Sequence, residues 1–147
     1  MFLLSLGSAL YVLAQPNLGL QLLALRTLHY WYSRVSLALA LLMLAWAVYI
    51  GLLRHKDVTA WFRRATYTMV AFMLLQSLVG LAMYVFINVR PYDEVHLIYG
   101  MGAVLSLPFF IYVEVTAKKR PAMGSYLWGF AILVAIIVRL FMTGAQG

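Results

Sequence analysis

Three histidines are the residues of this sequence whose types and positions best suit chemistry: His29, His55 and His96. Cysteine is absent, which excludes disulfides, thiolate metal sites, iron–sulfur clusters and thioether-linked haem. His55 stands in the basic run Arg54-His55-Lys56-Asp57 and reads as a solvated loop residue. His29 and His96 each stand near the N-terminal end of a long apolar segment. Polar side chains at membrane depth are costly, and they usually face the bundle interior in a functional role. Two neutral imidazoles placed there, without a carboxylate cluster, suit six-coordinate haem b with one axial nitrogen on each side of the iron. Zinc or copper normally takes a third or fourth ligand, and the sequence supplies none at that level. A plainer reading stands beside this one: histidine is also a common interfacial anchor.

The elements that must hold these residues are membrane helices. Of the 147 residues 65% are hydrophobic and 10% charged, against about 25% charged in soluble domains. That balance excludes an ordinary soluble enzyme, a disordered tail and a nucleic-acid-binding domain, in spite of the formal charge of +7. A spanning helix needs roughly 20 mostly apolar residues. Four segments meet this: 28–53, 65–88, 95–117 and 124–142. Short charged connections join them, so the expected fold is all-α: one domain, 1–147, forming an integral membrane antiparallel four-helix bundle. Residues 1–25 form a further apolar segment. Its run 2–14 is too short to span unless the helix continues through Gln15-Pro16-Asn17. An interfacial segment or a fifth, Pro-interrupted helix is expected there, and the missing basic n-region argues against a cleaved signal peptide.

Charge sets the expected orientation. The first and third connections hold Arg54, Lys56, Arg63, Arg64, Lys118, Lys119 and Arg120, whereas Arg26, Arg34, Arg90 and Arg139 fall on the other side. The positive-inside rule predicts the first side to be cytoplasmic. His29 and His96 then lie at one depth just inside the outer interface, since the first and third segments run parallel.

Helical stepping from His29 gives Ser33, Ser36, Ala40, Met43 and Ala47, and from His96 it gives Gly100, Ala103, Leu107 and Phe110. The second segment offers Met73, Gln76, Gly80 and Met83. Small residues such as Gly80 and Gly100 near a histidine leave room for a flat, bulky group, although small stripes also drive plain helix packing. Trp31, Val35, Leu39, Leu42, Trp46 and Ile50 make an opposite face suited to lipid. The outer-side arginines Arg34, Arg90 and Arg139, together with Arg26, could hold haem propionates. Arg139 equally fits snorkelling from the last turn of its helix. Glu114 and Lys118 form an ordinary four-residue helix pair.

Leu28-His29-Tyr30-Trp31-Tyr32-Ser33-Arg34 resembles the His-containing start of small prokaryotic cytochrome b-like membrane proteins. The run Leu74-Leu75-Gln76-Ser77-Leu78-Val79-Gly80-Leu81-Ala82-Met83-Tyr84 is similar to their Gln/Gly helix, and His96-Leu97-Ile98-Tyr99-Gly100 to their second His signature. The same order resembles one half of heme A synthase. The resemblance covers about residues 26–142 and implies that His29 and His96 are axial ligands of haem b. The glutamate that precedes the first haem-site histidine in heme A synthase has no counterpart here, where Arg26-Thr27-Leu28 stands. The resemblance therefore implies haem ligation rather than haem modification.

The expected function is one-electron transfer by a bis-histidine b-type cytochrome, alone, as a homo-oligomer, or as a subunit of a respiratory or photosynthetic complex. A stand-alone enzyme is the lesser expectation. The alternative is a haem-free accessory subunit of a larger membrane redox complex. A transporter or haem-handling enzyme fits less well, because no internal repeat and no charged residue at mid-depth of the first three segments is visible. Besides the lipid bilayer, a quinone near Tyr30, Trp31 and Tyr99 is compatible with either leading reading; a nucleic-acid partner is not.

Overall fold

Proline lacks the amide hydrogen that the first turn of a helix leaves unbonded in any case, so it starts a helix more readily than it interrupts one. Pro16 does so here. A computed structural model describes residues 16–117 and 121–144, and in it α1 runs without a break over Pro16–Val48. The expectation of a helix starting at 28 is corrected: the described part of the N-terminal segment is the first turns of α1. Residues 1–15 lie outside the described residues. A five-residue π-helical stretch, Tyr49–Leu53, closes α1.

The second helix, α2, spans Ala60–Ile87. It starts earlier than the hydrophobic run because Thr59 caps it, its Oγ1 accepting the Phe62 N–H at 3.2 Å. Asn88 ends it in the left-handed region at φ 55°, where asparagine is tolerated. The third helix, α3, is Val95–Ala117, as the sequence predicts. Asp93 Oδ1 accepts the Val95 N–H at 3.0 Å at its start. The last helix, α4, is Met123–Gly144. All four helices are long and apolar enough to cross a membrane, and no strand occurs among the described residues.

α1 packs on α2 and α4, and α3 packs on the same two, which leaves α1 and α3 diagonal to one another. The core they share holds Ala40, Met43, Ala47, Met73, Leu107 and Leu133, with Phe62 at the centre of an aromatic group. Trp46, Tyr126 and Phe130 meet the Phe62 ring edge to face at 5.3, 5.7 and 5.9 Å. Ile50 belongs to this core, at 7% exposure. Its expected lipid-facing position is corrected, because it stands three residues after the buried Ala47 and continues the inner stripe.

At the end of the bundle away from the histidines, a charged clamp crosses between helices. Glu114 on α3 is buried, and Arg63 on α2 donates to both its oxygens, at 2.8 and 3.2 Å. Tyr126 on α4 donates its hydroxyl to Glu114 Oε2 at 3.3 Å. The partners that Glu114 has among the described residues, Arg63 and Tyr126, are thus on other helices. Lys118, its expected helix partner, lies outside the described residues.

Candidate functional site

His29 is seated against Gly80 of α2. A Cβ built on residue 80 would stand 3.0 Å from His29 Cε1, so only glycine lets the imidazole and α2 approach without adjustment. One turn deeper, Ser33 Oγ donates to the His29 carbonyl at 2.8 Å and accepts from Gln76 Nε2 at 2.7 Å. The buried Ser36 bonds the Gln76 carbonyl oxygen. Gln76 therefore ties α1 to α2 directly below His29, where interhelical hydrogen bonds replace absent water. The His29 ring itself is less well served. Its Nδ1 is buried and has no hydrogen-bond partner among the described residues, a state that costs about 1–3 kcal/mol when nothing fills it.

His96 is held by the far end of α4. Its Nδ1 lies 3.3 Å from Thr143 Oγ1. The single proton of that hydroxyl is directed to the Arg139 and Leu140 carbonyls, at 3.2 and 3.4 Å. With its proton on Nδ1 the ring donates to that oxygen, and Nε2 then keeps the lone pair. Gly144 lies flat against the same ring, and the Asp93 N–H donates to the Thr143 carbonyl at 3.2 Å, fixing the start of α3 to the end of α4.

The two imidazoles come from diagonal helices at one end of the bundle. Gly80 faces His29, and a Cβ on Gly100 would meet no atom within 4 Å. Beside His29 lies a cavity of about 170 Å³, lined by Leu28, His29, Tyr32, Leu75, Gln76 and Val79. That cavity is smaller than a porphyrin. The two imidazoles are nitrogen donors of the kind that hold a haem iron, one from each of two diagonal helices. Among the described residues no three His, Asp or Glu side chains gather into a metal-ligating group.

The arginines stand apart from the imidazoles. Arg34 bonds the Tyr30 hydroxyl, its guanidinium lies 4.2 Å over that ring, and the Phe141 ring of α4 is 5.9 Å away. Arg90 is exposed and pairs with Glu94 at 3.6 Å and Asn88 at 3.4 Å. Arg139 is exposed beside the Met142 sulfur, as a snorkelling residue would be. His55 is exposed in the first loop, well away from the other two histidines. Thr143 and Gly144 are the site residues that sequence reading missed. No periodicity marks them, because they touch His96 only through the pairing of α3 with α4. Comparison with protein-family models, with curated proteins and with solved structures finds no match.

Proposed function

We propose that this chain is a multi-pass membrane b-type cytochrome, an antiparallel four-helix bundle in which His29 and His96 hold one haem b. The observation that carries the reading is the pair of imidazoles on diagonal helices, each lodged against a glycine at the same end of the bundle. The loosest seam of the bundle lies between α2, which carries Gly80, and α3, which carries Gly100. A haem held by His29 and His96 would supply a one-electron couple, and two nitrogen ligands would leave no open iron position for oxygen chemistry. Thr143 orients His96 by accepting its Nδ1 proton, so that Nε2 is presented as the ligating nitrogen. Arg34, whose guanidinium lies 5.9 Å from the Phe141 ring of α4, would suit a propionate. The resemblance to small prokaryotic cytochrome b-like proteins supports a prokaryotic inner membrane, and the charge bias of the loops supports cytoplasmic first and third connections. A redox partner complex or a second copy of the chain would receive or supply the electron.

The test is a dithionite-minus-oxidised visible spectrum of the detergent-purified protein, with a pyridine haemochrome assay for stoichiometry. A sharp low-spin spectrum is expected, lost in His29→Ala and in His96→Ala and kept in His55→Ala. Protein that stays colourless after expression with added haem refutes the proposal and leaves the haem-free accessory subunit as the reading.

A further inference from the structure

The end of the bundle opposite the histidines carries positive charge that the fold does not neutralise. The acids described there are both engaged internally. Glu114 accepts from Arg63 and Tyr126, and Asp57 Oδ1 accepts the Ala122 and Met123 N–H groups at 2.8 and 3.3 Å. The connection from α3 to α4 brings cations at 118–120 and no acid. Arg54, Lys56 and Arg64 are exposed, and none of them makes an ion pair with a described residue. Two of these three stand over exposed aromatic rings. The Arg64 guanidinium lies 5.4 Å from the Trp61 ring centre, and that of Arg54 lies 6.0 Å from the Tyr49 ring centre. Each pair ends an outward-facing stripe rather than a core-facing one. On α2 helical spacing leads from Trp61 and Arg64 to Ala71, Leu75 and Leu78, all exposed. On α1 the exposed Leu42 and Trp46 lead to Tyr49 in the same way. The first apolar span ends at Leu53 and the second begins at Ala60, so Arg54 and Arg64 bracket the level where acyl chains give way to headgroups.

We propose that this face selectively docks anionic phospholipid, the Arg54 and Arg64 guanidiniums taking the headgroup phosphate and the acyl chains lying along the stripes of α1 and α2. The planar guanidinium matches a phosphate in charge and in hydrogen-bond geometry. A free anion would answer the charge and leave Tyr49, Trp61 and the 69% exposed Leu53 uncovered, whereas a phospholipid covers both. A zwitterionic lipid brings a cation of its own into a patch that already has an excess, so the net negative headgroup is the complementary one. Basic residues clustered beside a membrane span attract anionic lipid in this way. The proposal requires no haem and stands apart from the cytochrome reading.

The experiment is a native mass spectrometry titration of the detergent-purified full chain with dioleoyl phosphatidylglycerol and, separately, with dioleoyl phosphatidylcholine. Tighter binding of the phosphatidylglycerol is expected. Arg54→Gln and Arg64→Gln should each weaken it by about fivefold, the worth of one Lys or Arg beside an anionic leaflet, and leave phosphatidylcholine binding unmoved. The double glutamine variant should lose the preference. Arg54→Lys with Arg64→Lys keeps the charge and should keep most of it. Arg90→Gln removes one charge at the other end of the bundle and should change nothing. A melting curve of each variant separates loss of the patch from loss of the fold, and the lysine pair carries the test if the glutamine pair does not fold. Equal affinity for the two lipids overturns the proposal, as does a preference that the glutamine pair retains or that Arg90→Gln abolishes equally. Displacement of the lipid by inorganic phosphate would make the patch a free-anion site and overturns it too.

Discussion

Gly144 and His96 are in direct contact: a Cβ on residue 144 would stand 2.6 Å from His96 Cε1 and 2.9 Å from Nδ1. That is closer than two such atoms can pack, so Gly144→Ala must swing the imidazole off the Thr143 hydroxyl. The expected cost is about 1–3 kcal/mol, the range for forcing one extra carbon into a packed site. It should be read as a lowered detergent melting temperature together with reduced haem retention. Gly80→Ala meets His29 at 3.0 Å and should be milder on both readouts. Equal effects of the two variants would mean that the His96 ring is free to move aside.

The Arg63–Glu114 pair is asymmetric, and its two halves should fail differently. The Arg63 side chain is 30% exposed and the Glu114 side chain 6%. Removing the carboxylate frees a guanidinium that can turn toward headgroups or water. Removing the guanidinium strands a buried carboxylate with the Tyr126 hydroxyl as its remaining partner across the bundle. Arg63→Met should therefore destabilise by about 3–5 kcal/mol, the usual result of breaking a buried pair from one side. Glu114→Gln should cost clearly less. Thermal unfolding of both variants followed by tryptophan fluorescence checks the order, and the reverse order would show that the pair is not buried in the bilayer-embedded protein.

Four apolar helices were legible because each contains a long uncharged run, and the boundary of α3 followed directly from Asp93 and Glu94 before it. The limits of α1 and α2 were not, because caps outrank hydropathy there: Pro16 opens one helix and Thr59 the other. His29 and Gly80 could be paired by helical stepping. Thr143 and Gly144 could not, since only the docking of α4 on α3 brings them to His96. The Arg63–Glu114 contact has the same character. Each charge is visible at the end of its own segment, and the link between them is long-range.

His55 is a local test of the backbone rather than of the site. It has φ 49°, in the left-handed region where a Cβ crowds the following carbonyl and costs about 1–2 kcal/mol. Its side chain is exposed. His55→Gly removes that strain and gives back part of the gain through the greater freedom of the unfolded chain. A net stabilisation of about 0.5–1 kcal/mol is expected, with an unchanged visible spectrum. A lower melting temperature would show that the π-helical end of α1 depends on the histidine side chain.

Asp57 joins the first loop to the start of α4. One of its oxygens, Oδ1, accepts the N–H groups of Ala122 at 2.8 Å and Met123 at 3.3 Å, besides that of Val58 at 2.8 Å. These are amides that a helix start leaves unbonded, and the carboxylate also faces the positive end of the helix dipole. The approach is tightened by Gly51, where a Cβ would stand 2.7 Å from Met123 Cγ. Asp57→Ala loses both the hydrogen bonds and the charge and should cost about 1–2 kcal/mol. Asp57→Asn keeps an acceptor oxygen and loses only the charge, worth about 0.3–1 kcal/mol at a helix N-terminus. Hydrogen exchange of the backbone amides at 122–126 should accelerate in the order Asp, Asn, Ala. If alanine exchanges no faster than wild type, the loop does not anchor α4, and the contact of α4 with α1 must hold that end of the bundle.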